Sequence, residues 1–315
     1  MRAVRNTERG IEVVEVPEPD ADGIRVAVRS SGICGSDLHM LAYGPLPVTL
    51  GHEFAGVLDD GTAVAIDPSA PCGNCDQCRS GATHRCRTGT DGLLGVGADG
   101  GMADAVRVRP DAIVPLRDVD PADACLVEPL GVAVHGLRMV DLDGDSRVAV
   151  VGAGAIGLAG VAAAVGAGAG EVALAARYQH QHAAGERLGA RALDAGAAGN
   201  FDVVVDAAGT EASLAQAADL CRPGGTVLFL STHWTPVPIP GLAAMMKELA
   251  FRWSYTYGCD EHQHRDLDAA AALLARSPAI ADTLVTHRFP LADAAEAFRV
   301  AADRSEGAIK VVLEP

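Results

Sequence analysis

Cys72, Cys75, Cys78 and Cys86 lie in one short polar run, PCGNCDQCRSGATHRC, which holds four of the chain's eight cysteines. Two overlapping C-x-x-C steps with a fourth cysteine close behind suit a tetrahedral cage of thiolates. Zn²⁺ takes four thiolates at about 2.3 Å, and a cage with every position filled is structural rather than catalytic. The spacing predicts a structural zinc lobe over residues 71–88. A redox pair or a chance cluster is the plainer alternative, and the density of cysteines argues against both. A second set of metal-binding side chains is spread over GICGSDLH and LGHEFAG, namely Cys34, His52 and Glu53. Thiolate, imidazole and carboxylate make an open zinc site with a place left for water or substrate. A lone cysteine and a lone histidine are more often core residues. Here they accompany the four-cysteine run and a nucleotide motif.

That motif is RVAVVGAGAIGLAG, with Gly152, Gly154, Ala155, Ile156 and Gly157 in its G-x-G-x-x-G core. The first glycine makes a tight turn, the second lets the backbone approach a pyrophosphate, and the third allows close packing of helix on strand. A bare glycine pattern is weak evidence in a Gly-rich chain. This one follows an apolar strand and opens an Ala-rich helix, the context that dinucleotide binding requires. NAD sites carry an acidic residue about 20 positions further on, at the ribose 2′-hydroxyl. In EVALAARYQHQH that place is held by Ala176, and Arg177 follows. No carboxylate is there to repel a 2′-phosphate and a guanidinium is there to bind one, so NADP(H) is expected over NAD(H). Ala207 and Thr232 complete the expected cofactor-binding set. Thr232, His233 and Trp234 follow a candidate strand whose end is where the nicotinamide should lie.

The elements that must hold these residues are of two kinds. Up to about residue 130 the chain reads as short strands: Ile24–Val28, Ala63–Ile66 and Ala105–Val108. Before them, residues 1–20 read as one polar-alternating strand running into a Pro-rich turn. From Val132 onward Ala and Gly dominate, and Arg147–Val151, Glu171–Ala175, Asp202–Val205 and Thr226–Leu230 alternate with helix-compatible sequence. Such alternation marks a doubly wound parallel sheet. His262–Ala275 and Ala292–Arg304 read as amphipathic helices and Ile309–Leu313 as a closing strand.

A chain of 315 residues suits two domains. The net charge of −16 argues against nucleic acid or an anionic membrane as a partner. Lysine is nearly absent, with only Lys247 and Lys310. The N-terminal stretch has no charged-then-apolar leader pattern, and the apolar region 148–169 is broken by glycines. Thiolate ligands need a reducing compartment, so the cytoplasm is expected.

GICGSDLH, GHEFAG, PCGNCDQC, CLVEPLGVAVHG, GAGAIG, CRPGGTV and EGAIKVVLEP, in this order, resemble the zinc-dependent medium-chain dehydrogenase/reductase superfamily. Within it the pair GHE and EPL is most similar to the polyol, butanediol and threonine dehydrogenase branch. The resemblance implies an α/β chain: a GroES-like β-rich catalytic domain over 1–131, a Rossmann coenzyme domain over 132–260, and a C-terminal segment, 261–315, returning to the first. It implies Cys34 and His52 as catalytic zinc ligands, Glu128 as either a third ligand or a hydrogen-bonding partner of the metal's water, and Glu53 beside the metal and able to ligate it. Ser36 then touches the substrate oxygen, His39 is the outer member of a proton relay, and Asp37 orients the His52 imidazole. The expected activity is hydride transfer between NADP(H) and a secondary alcohol or ketone, with two zinc ions per chain and a homodimer or homotetramer. The segments between His39 and His52 and between Gly56 and Pro71 are short for this superfamily, and the first, near the substrate cleft, suggests a wide pocket for a polyol, cyclitol or other multiply hydroxylated substrate. An NAD-linked threonine or butanediol dehydrogenase is the alternative, opposed by Ala176 and Arg177. A non-enzymatic zinc interaction protein or a zinc-free quinone reductase is opposed by the full set of metal-binding residues.

Overall fold

The computed structural model describes residues 1–315 except Ala21, Thr90 and Glu261. The chain forms two compact units, one of Met1–Glu128 with Gly258–Pro315 and the other of Pro129–Tyr257. The first opens with β1 (Arg2–Thr7) and β2 (Gly10–Glu15), paired antiparallel. This corrects the single N-terminal strand expected from the sequence. Gly10 takes φ +98°, a conformation open mainly to glycine, and it turns the chain back on itself. The strands β3 (Ile24–Gly32), β4 (Glu53–Val57), β5 (Ala63–Ile66), β6 (Ala105–Val108) and β7 (Ile113–Pro115) follow. Val26, Val28, Phe54, Val64, Ile66 and Val106 from these strands make a common core. Two short helices, α1 (Gly35–Met40) and α2 (Asp76–Arg79), carry the candidate metal motifs, and α3 covers Val127–Arg138.

The second unit holds β8 (Arg147–Val151), β9 (Glu171–Ala175), β10 (Arg191–Ala192), β11 (Phe201–Asp206), β12 (Cys221–Phe229) and β13 (Ala250–Trp253). They form one parallel sheet in the order β10-β9-β8-β11-β12-β13. The inner strands β8, β9 and β11 are largely buried and read as apolar runs, as parallel sheets require. The chain runs outward from β8 to β10, then starts again beside β8 at β11. The order therefore reverses between β8 and β11, which is the doubly wound topology. Helices α4 (Ala155–Gly166), α5 (Gln179–Arg187), α6 (Glu211–Leu220) and α7 (Gly241–Lys247) connect the strands. Lys247 Nζ donates to the carbonyls of Ala218, Asp219 and Cys221 at 2.8, 2.8 and 2.9 Å, closing the open carbonyl end of α6.

The C-terminal segment completes the first unit through α8 (Asp266–Arg276), α9 (Ala279–Leu284), β14 (Val285–Pro290), α10 (Ala294–Ala302) and β15 (Lys310–Glu314). Its sheet has the order β14-β15-β3-β4-β5-β7, with β6 also on β3. The helix expected from His262 begins only at Asp266. Asp260 Oδ1 accepts the N–H groups of His262 and His264, both at 2.9 Å, and this turn keeps residues 260–264 out of the helix.

Candidate active site

Asp37 is the centre of the first candidate site. It sits in the opening turn of α1 with 1% of its surface exposed. Its Oδ2 accepts the Cys34 N–H at 2.9 Å and so fixes the cysteine at the helix N-cap. Its Oδ1 faces His52 Nδ1 at 3.3 Å, and neither of those two atoms has another hydrogen-bonding partner among the described residues. One carboxylate thus orients both a thiol and an imidazole. With Nδ1 turned to Asp37, His52 presents Nε2 to the site, where the Ser36 hydroxyl lies 3.3 Å away. Burial opposes a charge on His52. Asp37 and then Cys34 overcome it and raise the imidazole pKa well above its usual value.

Gly51 delivers His52 and Glu53 into this position. It has φ +97°, and a Cβ there would stand 2.7 Å from Met102 Cγ. No other residue type fits that turn without displacing its neighbours. Donor atoms of Cys34, His52 and Glu53 all lie within 4.8 Å of one another. The set of thiolate, imidazole and carboxylate suits Zn²⁺. Glu128, in the first turn of α3 and 8% exposed, is not part of this close set. His39 is exposed on α1, one turn beyond Ser36.

Glu53 has a partner that the sequence did not announce. Both of its carboxylate oxygens accept from Lys310 Nζ, at 2.7 and 2.5 Å, and the third ammonium donor goes to the Ile33 carbonyl at 3.1 Å. Both residues are buried. The pair reaches from β15 to β4 across the intervening strand β3, at Gly32. A Cβ on Gly32 would fall 2.2 Å from Glu53 Oε2 and 3.2 Å from Lys310 Cδ. The neighbouring carboxylate raises the Lys310 pKa despite complete burial, so the ammonium stays charged. In the sequence Lys310 is signalled only by the rarity of lysine in an Arg-rich chain.

The four-cysteine run is gathered as its spacing implies. The donor atoms of Cys72, Cys75, Cys78 and Cys86 lie within 4.8 Å of one another, with the Cys72 and Cys78 sulfurs 4.0 Å apart. Main-chain N–H groups point at the sulfurs, from Cys72 to Cys86 at 3.2 Å and from Cys78 to Cys75 at 3.5 Å. The N–H groups of Cys72 and Thr88 bring the Cys86 pKa down to about 6. Desolvation, with the adjoining Cys75 and Cys86, pushes Cys78 up to about 12. Four sulfurs gathered this closely have the donor set of a closed thiolate site for Zn²⁺.

In the second unit the glycine motif turns from β8 into α4. Gly152 has φ +101°. A Cβ on Gly157 would lie 1.8 Å from the Gly152 carbonyl, so the close packing of this turn demands glycine. Gly154, the N-cap of α4, has open space where its Cβ would be. Ala155 and Ile156 open the helix, whose N-terminal N–H groups therefore front a free approach suited to a pyrophosphate. Ala176 lies just past β9. Arg177 is exposed and pairs with no carboxylate among the described residues; its guanidinium rests 5.4 Å from the Tyr178 ring centroid. Ala207 donates its N–H to the Val151 carbonyl at 2.9 Å, which puts it beside the glycine turn. Thr232 is exposed, three residues beyond β12.

A β-rich unit with a thiolate–imidazole–carboxylate set, joined in sequence to a doubly wound unit with a dinucleotide turn, defines a class of two-domain oxidoreductases. Residues 20–118 match the alcohol dehydrogenase GroES-like domain family and residues 167–313 the zinc-binding dehydrogenase family. The chain is 31% identical to L-threonine 3-dehydrogenase of Saccharopolyspora erythraea, over 100% of this chain and 99% of that protein. It is 29% identical to L-galactonate-5-dehydrogenase of Escherichia coli K12, over 90% and 89%. Among solved structures it resembles a protein assigned as a zinc-binding dehydrogenase from Sinorhizobium meliloti 1021, bound to NADP. That match has 30% identity and a TM-score of 0.87, over 100% of this chain and 99% of that one. The chain belongs to the zinc-dependent alcohol dehydrogenases of the medium-chain dehydrogenase/reductase superfamily. No helix among the described residues is long and apolar enough to cross a membrane.

Proposed function

We propose that this oxidoreductase transfers hydride between NADP(H) and a secondary alcohol or its ketone, with a polyol, cyclitol or related multiply hydroxylated compound as substrate. The observation that carries the proposal is the Asp37 carboxylate, which fixes Cys34 and His52 together and leaves their sulfur and Nε2 to hold a metal. Cys34 and His52 would hold the catalytic zinc. Glu53 lies within reach but is engaged by Lys310, and Glu128 supplies a further carboxylate from α3. When bound, zinc supplies Lewis-acid polarisation of the substrate oxygen, and the nicotinamide supplies the redox chemistry.

The chain's own residues handle orientation and the proton. Asp37 keeps the His52 ring aligned, the role that ligand imidazoles require of a supporting carboxylate. The hydroxyl proton of the substrate would leave through Ser36 Oγ, which gives up its own proton as it accepts one, and then through the exposed His39 to solvent. Arg177, which pairs with no carboxylate among the described residues, pairs with the 2′-phosphate, and Ala176 offers no carboxylate to repel it. Cys72, Cys75, Cys78 and Cys86 hold a second, structural zinc. The named substrates of the relatives, L-galactonate and L-threonine among them, support small hydroxylated substrates. The NADP in the Sinorhizobium structure supports the cofactor. A homodimer or homotetramer in the cytoplasm completes the proposal. The test is a turnover screen with NADP⁺ and NAD⁺ against secondary alcohols, polyols, cyclitols and amino alcohols. Turnover of hydroxylated secondary alcohols with NADP⁺ bears it out; turnover of none of them, or only of amino alcohols with NAD⁺, overturns it.

A further inference from the structure

Ligands of open parallel sheets sit outside the carboxyl ends of the strands, where the strand order reverses. In the second unit that point lies between β8 and β11, and Asp206 is the last residue of β11. It is 0% exposed. Its Oδ1 accepts the N–H groups of Ala208 and Gly209 at 3.0 and 3.2 Å. Its Oδ2 accepts the Ser231 hydroxyl at 3.3 Å and faces His233 Nε2 from 3.9 Å. Its main-chain carbonyl accepts the N–H groups of Leu230 and Ser231 at 3.0 and 3.1 Å.

The side-chain bonds of Asp206 therefore go to the turns after β11 and β12. Those turns are closely fitted to their neighbours. A Cβ on Gly152 would lie 3.0 Å from the Ala208 nitrogen, and one on Gly209 would lie 3.1 Å from Ser231 Cβ. A buried carboxylate bonded to several donors is costly to remove, because each donor is then left unpaired.

We infer that Asp206 is a positioning residue for the nicotinamide half of the dinucleotide site, holding the turns 207–209 and 231–233 in the conformation that receives the cofactor. The inference rests on the dinucleotide reading above. A doubly wound sheet has two mononucleotide-binding halves. In this chain β8–β10 serve the adenosine half, whose ribose is met beyond β9, and β11–β13 serve the other. Loss of Asp206 then weakens the whole dinucleotide and spares its adenosine half.

The experiment measures calorimetric binding of NADP⁺ and of adenosine 2′,5′-bisphosphate to the full chain as wild type, Asp206→Ala and Asp206→Asn. The pair NAD⁺ and 5′-AMP is run alongside, so that selectivity for NAD(H) is read by the same comparison. Asp206→Ala is expected to weaken the dinucleotide by about tenfold or more, with the half-molecule held to within about twofold of wild type. Asp206→Asn keeps one carbonyl acceptor for the two N–H groups and is expected to recover part of the loss. Should Asp206→Ala fail to fold, the asparagine variant decides by the same two ligands. Unchanged dinucleotide affinity, or equal loss of dinucleotide and half-molecule, overturns the inference. A wild type that binds none of the four ligands overturns the dinucleotide reading itself.

Discussion

Lys310 is a fully buried ammonium at the start of the last strand. Its three donors meet three acceptors inside the first unit, and a planar guanidinium would not match that arrangement. Lys247 meets three carbonyls in the same way. The only two lysines in the chain therefore both occupy places that suit a compact ammonium. Removing one member of a buried ion pair strands the other, at about 3–5 kcal/mol. Lys310→Met is expected to lose stability of that order in urea unfolding, and Lys310→Met with Glu53→Gln to regain most of it. A single variant as stable as wild type would show that Glu53 finds another cation. The cofactor residues give a second test at this scale. Ala176→Asp with Arg177→Ile restores an acceptor for the 2′-hydroxyl and deletes the cation. A charge-assisted hydrogen bond is worth about 1.5–3 kcal/mol. The kcat/KM preference for NADP⁺ over NAD⁺ is thus expected to be about tenfold or more, and to reverse in the double variant.

At the scale of elements, metal cage and sheet order were legible to different degrees. The cage could be read because its four cysteines lie within one short run, and local spacing decided their meeting. Strands β5, β6, β8 and β9 coincide with the apolar runs Ala63–Ile66, Ala105–Val108, Arg147–Val151 and Glu171–Ala175. The Glu53–Lys310 pair could not be read, since it depends on β15 lying beside β3 and on Gly32 leaving a gap between them. The turn bonds of Asp206 were hidden for the same reason: they join the ends of two strands. The cage also carries a prediction about protons. Metal-free Cys78, pushed up to about 12, is protonated at neutral pH, while Cys86, lowered to about 6, is mostly thiolate. Zinc binds thiolates, so uptake at pH 7 must expel the Cys78 proton. Calorimetry in buffers of different ionisation enthalpy is expected to show at least about one proton released per cage zinc. Total zinc is expected to fall from two per chain to one in Cys75→Ser. Binding without proton release, or two zinc ions surviving the substitution, would refute the cage.

In the whole molecule the candidate metal ligands lie in one compact unit and the candidate nucleotide residues in the other. Cys34, His52 and Glu53 belong to Met1–Glu128, and the glycine turn, Arg177 and Asp206 belong to Pro129–Tyr257. The sequence conveyed this division through the change from short alternating strands to apolar runs with Ala-rich helices. It could not convey how the last strand serves the metal region from the far end of the chain. Because the two functions are built in separate units, they can be lost separately. The most direct measurement is therefore made on His52→Ala, with turnover of an accepted alcohol and calorimetric affinity for NADP⁺ determined on the same preparation. Turnover is expected to fall to background while the NADP⁺ dissociation constant stays within about twofold of wild type, well under the tenfold that 1.4 kcal/mol represents. Retained turnover in His52→Ala would contradict the zinc-dependent mechanism.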